Sequence, residues 1–286
     1  MPANLARGGP DPLTQIARLQ FLSTEFEIQT NSSDLLEWIV WIKGKSQQEL
    51  PVCNRYRINI TWTGEEFRIA DGMKDDFELS TVYTIENLYA RMHRQALDNL
   101  PEHVGVRAVT GACGNHAFLI VGGKQSGKST LAARMLLEGY DITGDELSLL
   151  RNGEAVPFPR RFQVPGDSAA LIPHFEKVVT SFHTDNPSSL IAIDPTCLGR
   201  PWRIVPLKLS AIFFLEPNFG SQTTITSCGK LEMNRRMLPH TSVTNKGGNL
   251  VRELCLTVGA AQTFLISFGK LDSAISALHR LLPVHL

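Results

Sequence analysis

The run Gly122-Gly123-Lys124-Gln125-Ser126-Gly127-Lys128-Ser129 completes the spacing G-x-x-x-x-G-K-[ST], and Thr130 follows it. Each residue type answers a chemical need. Gly122 and Gly127 let the backbone curl, so that the N–H groups of Gly123, Lys124, Gln125 and Ser126 converge on phosphate oxygens. A helix opening at Lys128, Ser129 and Thr130 adds the positive end of its dipole. Lys128 is long enough to reach terminal phosphates as a point charge, and the Ser129 hydroxyl is a hard oxygen ligand for Mg²⁺. The pattern predicts a bound nucleotide and leaves the reaction open, because kinases, GTPases, motor ATPases and transporters all use it.

Three checks narrow the choice. A guanine-reading N-K-x-D segment is missing, since Asn245-Lys246 runs into Gly247-Gly248. Asp141-Ile142-Thr143-Gly144 fits D-x-x-G, but it starts thirteen residues after Lys128, too soon for a switch loop. No Leu-Ser-Gly-Gly-Gln segment is present. Asp145 and Glu146 come next. A short strand after the phosphate-loop helix returns Asp145 to the sheet edge where phosphates would lie. A carboxylate there can hold Mg²⁺ or accept a proton from an attacking hydroxyl. The plainer alternative is a surface acidic pair ending a strand. Glu146 points the other way if the segment is extended. Glu216, at the end of the apolar run Ala211–Leu215, is a second candidate for the metal. Arg160 and Arg161 have the fork geometry that suits phosphate, or they are simply solvated. Lys230, Arg235 and Arg236 read as a solvated helix face, and His240 as a packing residue.

The elements that must position these residues follow from the hydrophobic pattern. His116–Val121 is an apolar run that suits a strand buried on both faces. Val104–Val109 reads as one strand, with Gly111, Gly114 and Asn115 supplying turn chemistry. A helix is expected from Lys128 to about Glu138, ended by Gly139, and a strand from Tyr140 to Leu150 with Asp145-Glu146 in its middle. Further strands are expected at Ala211–Leu215, Thr223–Thr226 and Thr263–Ile266. Helices are expected at Leu231–Leu238, Leu250–Val258 and Asp272–Leu282, and residues 183–202 read as a loop. In the N-terminal part, Arg57–Trp62 alternates as a half-buried strand should, Thr63-Gly64 is a turn, and Phe67–Ile69 follows it. Asp34–Ile42 is ambiguous between helix and buried strand. Residues 84–99 read as a helix capped by Thr84, with Leu88, Met92 and Leu97 on one face. Trp38, Trp41 and Trp62 are expected in the core, and residues 1–13 as a loose tail.

Composition sets the outer limits. The chain has 286 residues, 43% of them apolar, which is long and apolar enough for one large domain or two smaller ones. Lys+Arg equals Asp+Glu at 28 each, which argues against a general nucleic-acid binder. Five cysteines, none in a C-x-x-C pair, fit free and mostly buried thiols in a reducing compartment. No signal peptide and no apolar run of membrane-spanning length is read, so the expected location is the cytoplasm, away from membranes.

The stretch Gly122–Leu150, with its phosphate loop, helix and acidic pair Asp145-Glu146, resembles the HPr kinase/phosphorylase-like family of serine kinases. Pro157-Phe158-Pro159-Arg160, Ala211–Pro217, Leu238-Pro239-His240 and Leu271–Leu282 resemble its HPr-kinase-related branch, and the likeness covers residues 104–286. The resemblance implies an α/β fold whose P-loop kinase domain (101–286) has a mixed sheet like that of phosphoenolpyruvate carboxykinase. Residues 1–100 would form a separate α+β portion for substrate or partner binding. It implies ATP and Mg²⁺ as cofactors, and a serine-type hydroxyl on a protein or ribosomally made peptide as acceptor, lasso precursors among them. A small-molecule hydroxyl, or ATP binding without transfer, is the alternative. By matching position, Lys128 and Ser129 would serve phosphate and metal, Asp145 would be the base, Glu146 a second acidic position near the metal, and Arg160 a catalytic cation. HPr kinases assemble into rings, so a homo-oligomer is in keeping with the likeness. Two departures stand out. Arg107-Ala108 replaces the family's His-Gly, and an arginine stays charged and cannot act as a base, although it can still bind a phosphate; the reverse, phosphorylase reaction is left open by this change. Residues 1–100 are unlike the N-terminal domain of HPr kinases, so HPr itself is a poor fit as substrate.

Overall fold

The computed structural model describes residues 12–44, 46–48, 50–70, 77–79, 81–180, 191–243 and 249–282. The chain divides into two compact units, residues 1–43 with 50–99 and residues 44–49 with 100–286. The short segment joins the second unit because Gln47–Gln48 pairs in parallel with Arg203–Ile204.

The first unit is built on a five-stranded sheet in the order Gln15–Phe21, Thr24–Thr30, Asn54–Trp62, Phe67–Ala70, Phe77–Leu79. Its second and third strands are parallel and the other pairs antiparallel. Along Thr24–Thr30 every second residue is buried, while Glu25, Glu27 and Gln29 sit on the open face. There Arg18, Arg55 and Arg57 pair with those glutamates at 3.0 Å. The ambiguous Asp34–Ile42 run is helical, within Ser33–Lys43. The Leu35 N–H donates to the Ser32 hydroxyl at 3.3 Å, an N-cap that favours helix, and Leu35 and Ile39 enter the core one turn apart. The second helix, Thr81–Asp98, begins three residues before the expected Thr84. It buries Leu88, Met92 and Leu97 as expected. Trp38, Trp41 and Trp62 are half-buried at the rim, while Phe21, Phe26, Ile28, Ile60 and Ile69 fill the interior.

Among the described residues the second unit has a ten-stranded mixed sheet. At its centre His116–Gly122, Leu207–Pro217 and Gln262–Phe268 run parallel, and Ala108–Cys113 then Asp141–Gly144 extend it antiparallel. His116–Gly122 is buried on both faces, as its apolar run predicts. One face carries Leu119, Val121, Ile212 and Phe214 against Met233 and Met237 of helix Lys230–Met237 and Leu254 and Val258 of helix Leu250–Ala260. The other turns Phe118 and Phe213 toward Tyr140 and the helices Lys128–Leu137 and Leu271–Leu281.

Several local expectations need correction. Val104–Val109 is two strands, Val104–Val106 and Ala108–Cys113, parted at Arg107. Tyr140–Leu150 likewise splits into Asp141–Gly144 and Ser148–Arg151, so Asp145-Glu146 lies in the break and not mid-strand. Each half follows a different neighbour, which no local pattern encodes. Gly111 is not a turn residue. It lies inside a strand where a Cβ would stand 2.6 Å from Phe118 Cζ. The loop expected at 183–202 holds the strand Ile191–Ile193 and the short helix Pro195–Leu198; its residues 183–190 lie outside the described residues. All five cysteines are free, but only Cys113 is buried, while Cys53, Cys197 and Cys255 are exposed. Gly139 does end its helix, at φ +100°, with the Tyr140 N–H reaching the Met135 carbonyl at 3.1 Å.

Candidate active site

Strand register brings the site together. Ala108 pairs with Val121, so Arg107 stands beside Gly122 at the start of the phosphate loop. Thr110 pairs with Gly144, which delivers Asp145 to the same sheet edge. Leu215 pairs with Gly122, which places Glu216 there too.

The loop turns at two left-handed residues. Gln125 (φ +60°) and Gly127 (φ +93°) are left-handed, and a Cβ on Gly127 would stand 2.5 Å from Phe268 Cε1. Gly122 approaches the Leu215 carbonyl so closely that a Cβ would meet its oxygen at 2.9 Å. Gly127 caps helix Lys128–Leu137 without a side chain, so the first N–H groups of that helix face the loop's concavity. Lys128 Nζ donates to the Gly122 and Gly123 carbonyls at 2.9 and 2.6 Å. Burial holds its pKa below the ordinary lysine value, with Arg107 acting in the same sense and Asp145 against it.

Asp145 is half-buried and accepts the Gln163 backbone N–H at 3.4 Å, and the nearby Ser129 hydroxyl favours its charged form. Its pKa is pushed up to about 6, chiefly by burial and also by Glu146, against the opposing pull of Arg160. Asp145 therefore titrates close to neutral pH, as a general base should. Glu146 is exposed and pairs with Arg160, whose guanidinium also donates to the Gln163 amide oxygen. Glu146 thus shares the neighbourhood of Asp145 while its carboxylate is engaged with Arg160.

The remaining candidates separate by contact. Arg161 is buried and donates to Asp194 at 3.1 Å, so it supports the fold, unlike its neighbour Arg160. Glu216 is tied to Arg236, which also holds Glu232. Lys230 donates to the Val258 and Ala261 carbonyls at the end of helix Leu250–Ala260, a structural task that the reading of a solvated face misses. Ser129 and Asp145 offer a neighbouring hydroxyl and carboxylate oxygen, a donor pair of the hard type Mg²⁺ prefers. Among the described residues no group of three or more His, Cys, Asp or Glu could hold a metal alone, so substrate oxygens and water would complete its shell. A cavity of about 640 Å³ opens at the far end of the phosphate-loop helix, around Arg134, Glu138 and Lys177; it holds none of the groups above. His240 packs against Phe214 at 5.5 Å, in line with the packing role read from the sequence, and it also lies beside Gly123 and feels both Lys128 and Arg107.

No protein-family model matches the chain, and no curated protein does. Among solved structures, an HPr(Ser) kinase/phosphatase from Coxiella burnetii is similar at 13% identity and a TM-score of 0.30, over 62% of this chain and 90% of that one. The assignment of a reaction therefore rests on the residues of the site.

Proposed function

We propose that the chain is an ATP- and Mg²⁺-dependent kinase that transfers the γ-phosphoryl group to a serine-type hydroxyl on a protein or ribosomally made peptide. The observation that carries this reading is the meeting of Ser129 with Asp145 at the mouth of the phosphate loop, with the Asp145 pKa raised to about 6. The loop N–H groups and Lys128 hold the β- and γ-phosphates. Mg²⁺, held by Ser129 and Asp145, would neutralise charge on those phosphates. Asp145 receives the proton of the acceptor hydroxyl as that oxygen bonds to phosphorus and the bond to ADP breaks. Arg160, close enough to bias Asp145, offers a cation on the acceptor side.

The test is incubation with γ-labelled ATP, Mg²⁺ and serine-containing peptides. The native chain labels an acceptor, whereas Lys128→Ala and Asp145→Asn do not. Label found only in free phosphate would instead favour an ATP-binding module without transfer, the reading that Arg107 in the place of a histidine keeps in view. Full transfer by Asp145→Asn would remove that residue as the base.

A further inference from the structure

Lys128, Arg107 and His240 gather beside the loop. His240 ends the short helix Leu238–His240, and its backbone carbonyl accepts the Arg107 N–H at 2.9 Å. Its ring leans on Phe214 at 5.5 Å, and its Cε1 lies 4.0 Å from where a Cβ on Gly123 would stand. Lys128 Nζ meets the carbonyl of that same Gly123 at 2.6 Å. Ammonium and imidazole therefore flank one residue of the loop. Lys128 and Arg107 are the charged groups that act on His240, and with burial they hold its pKa below the ordinary value, so the ring is neutral at pH 7. Arg236, over the Phe214 ring at 5.5 Å, is already engaged by Glu216 and Glu232. Among the described residues neither Arg107 nor His240 has a carboxylate partner.

Lys128 and the exposed Arg107 are two cations beside an anion-binding loop, and an anion bound there would offset the repulsion between them. Lys128 has Asp145 to offset it, whereas Arg107 has no carboxylate partner among the described residues. Lys128 and His240 both adjoin Gly123, and Arg107 stands beside Gly122. We propose that Arg107 and His240 form the terminal-phosphate contact of the nucleotide site, so that through them the chain separates nucleoside triphosphate from diphosphate. This rests on the nucleotide reading above. A neutral imidazole donates one N–H to a phosphate oxygen, and the Arg107 guanidinium offers its fork. The diphosphate, lacking the outer group, meets neither.

The test is direct binding of ATP, ADP and the non-hydrolysable AMP-PNP, each with Mg²⁺, by calorimetry on the full chain. His240→Ala, His240→Gln and Arg107→Gln are compared with the native protein, and melting temperatures confirm folding. Losing one contact to a charged phosphate is expected to weaken ATP and AMP-PNP about tenfold, while ADP stays within about twofold. His240→Gln, which keeps an N–H donor, recovers part of the loss. Native binding of ATP with variants that lose ATP and ADP equally, or lose neither, overturns this inference and leaves the nucleotide site standing. A native chain that binds neither nucleotide refutes the nucleotide reading itself, and this contact with it.

Discussion

Replacing Asp145 by Asn is expected to abolish transfer and, at neutral pH, to make the protein more stable. The sign follows from proton linkage. A free aspartate titrates at 3.8, and Asp145 in the folded chain at about 6, because burial penalises its charged form. Between those values the native state keeps a proton that the unfolded chain has released. Unfolding stability therefore falls as pH rises through that window, by about 1.4 kcal/mol per pH unit. The whole window is worth about 3 kcal/mol at most, and the partial exposure of the carboxylate reduces the expected figure to about 1–2 kcal/mol. Asparagine has the same shape, keeps an acceptor oxygen for Ser129 or Gln163, and has nothing to ionise. Urea unfolding of both proteins from pH 4 to pH 8, in Mg²⁺-free buffer, measures the difference directly. The variant should match the native chain near pH 4, gain on it between pH 4 and 6, and hold a constant advantage above about pH 7. A difference that does not change with pH, or one that shrinks as pH rises, would refute the argument that burial raises the titration of Asp145.

Arg160→Ala removes the cation that favours ionised Asp145, so the acid limb of kcat/KM against pH should move to higher pH; an unmoved limb would separate Arg160 from the base. Gly127→Ala forces a side chain into a left-handed position against Phe268. It should lose about 1–3 kcal/mol by urea unfolding, together with nucleotide binding measured by calorimetry. Asp194→Ala strands the buried Arg161 guanidinium and should lose about 3–5 kcal/mol by the same unfolding measurement, whereas Glu146→Gln, at an exposed pair, should lose less than about 1 kcal/mol.

What could be read from the sequence divides by the range of the interaction. The phosphate loop is legible because its parts lie within nine consecutive positions, Gly122 to Thr130, and the left-handed turn before the helix falls on a glycine, Gly127. The apolar run before it and Gly139 after it are equally local. Asp145 is legible as a residue near the phosphates, since one helix and one short strand fix its return. Its environment is not legible, because its pKa depends on burial, Ser129, Arg160 and Gln163, which meet only in three dimensions. Arg160 and Arg161 make the same point more sharply. They are adjacent and alike, yet one pairs with the exposed Glu146 and the other is buried on Asp194. Asp34–Ile42 was ambiguous because its apolar residues fit either period; the signal that decides it is Ser32, one residue outside the helix.

The strand breaks tie these observations together. The segments 104–113 and 141–151 run antiparallel to each other, Val106 against Ser148 and Thr110 against Gly144, and both leave the ladder between those pairs. Backbone groups released from a ladder inside a protein must find other partners. The Arg107 N–H takes the His240 carbonyl, and the Leu147 carbonyl takes the Phe158 N–H at 2.8 Å. Those two bonds bring in distant segments, the turn that ends in His240 and the loop that carries Arg160. Arg107, Asp145 and Glu146 themselves occupy the gap, where side chains need not follow the strict alternation of a strand. A Val104–Val109 or Tyr140–Leu150 strand running straight through would have satisfied its own backbone and recruited neither segment. The two expectations that failed along these strands, and the placing of His240 beside the loop, therefore have a single cause: the sheet divides at the point where the candidate site is assembled.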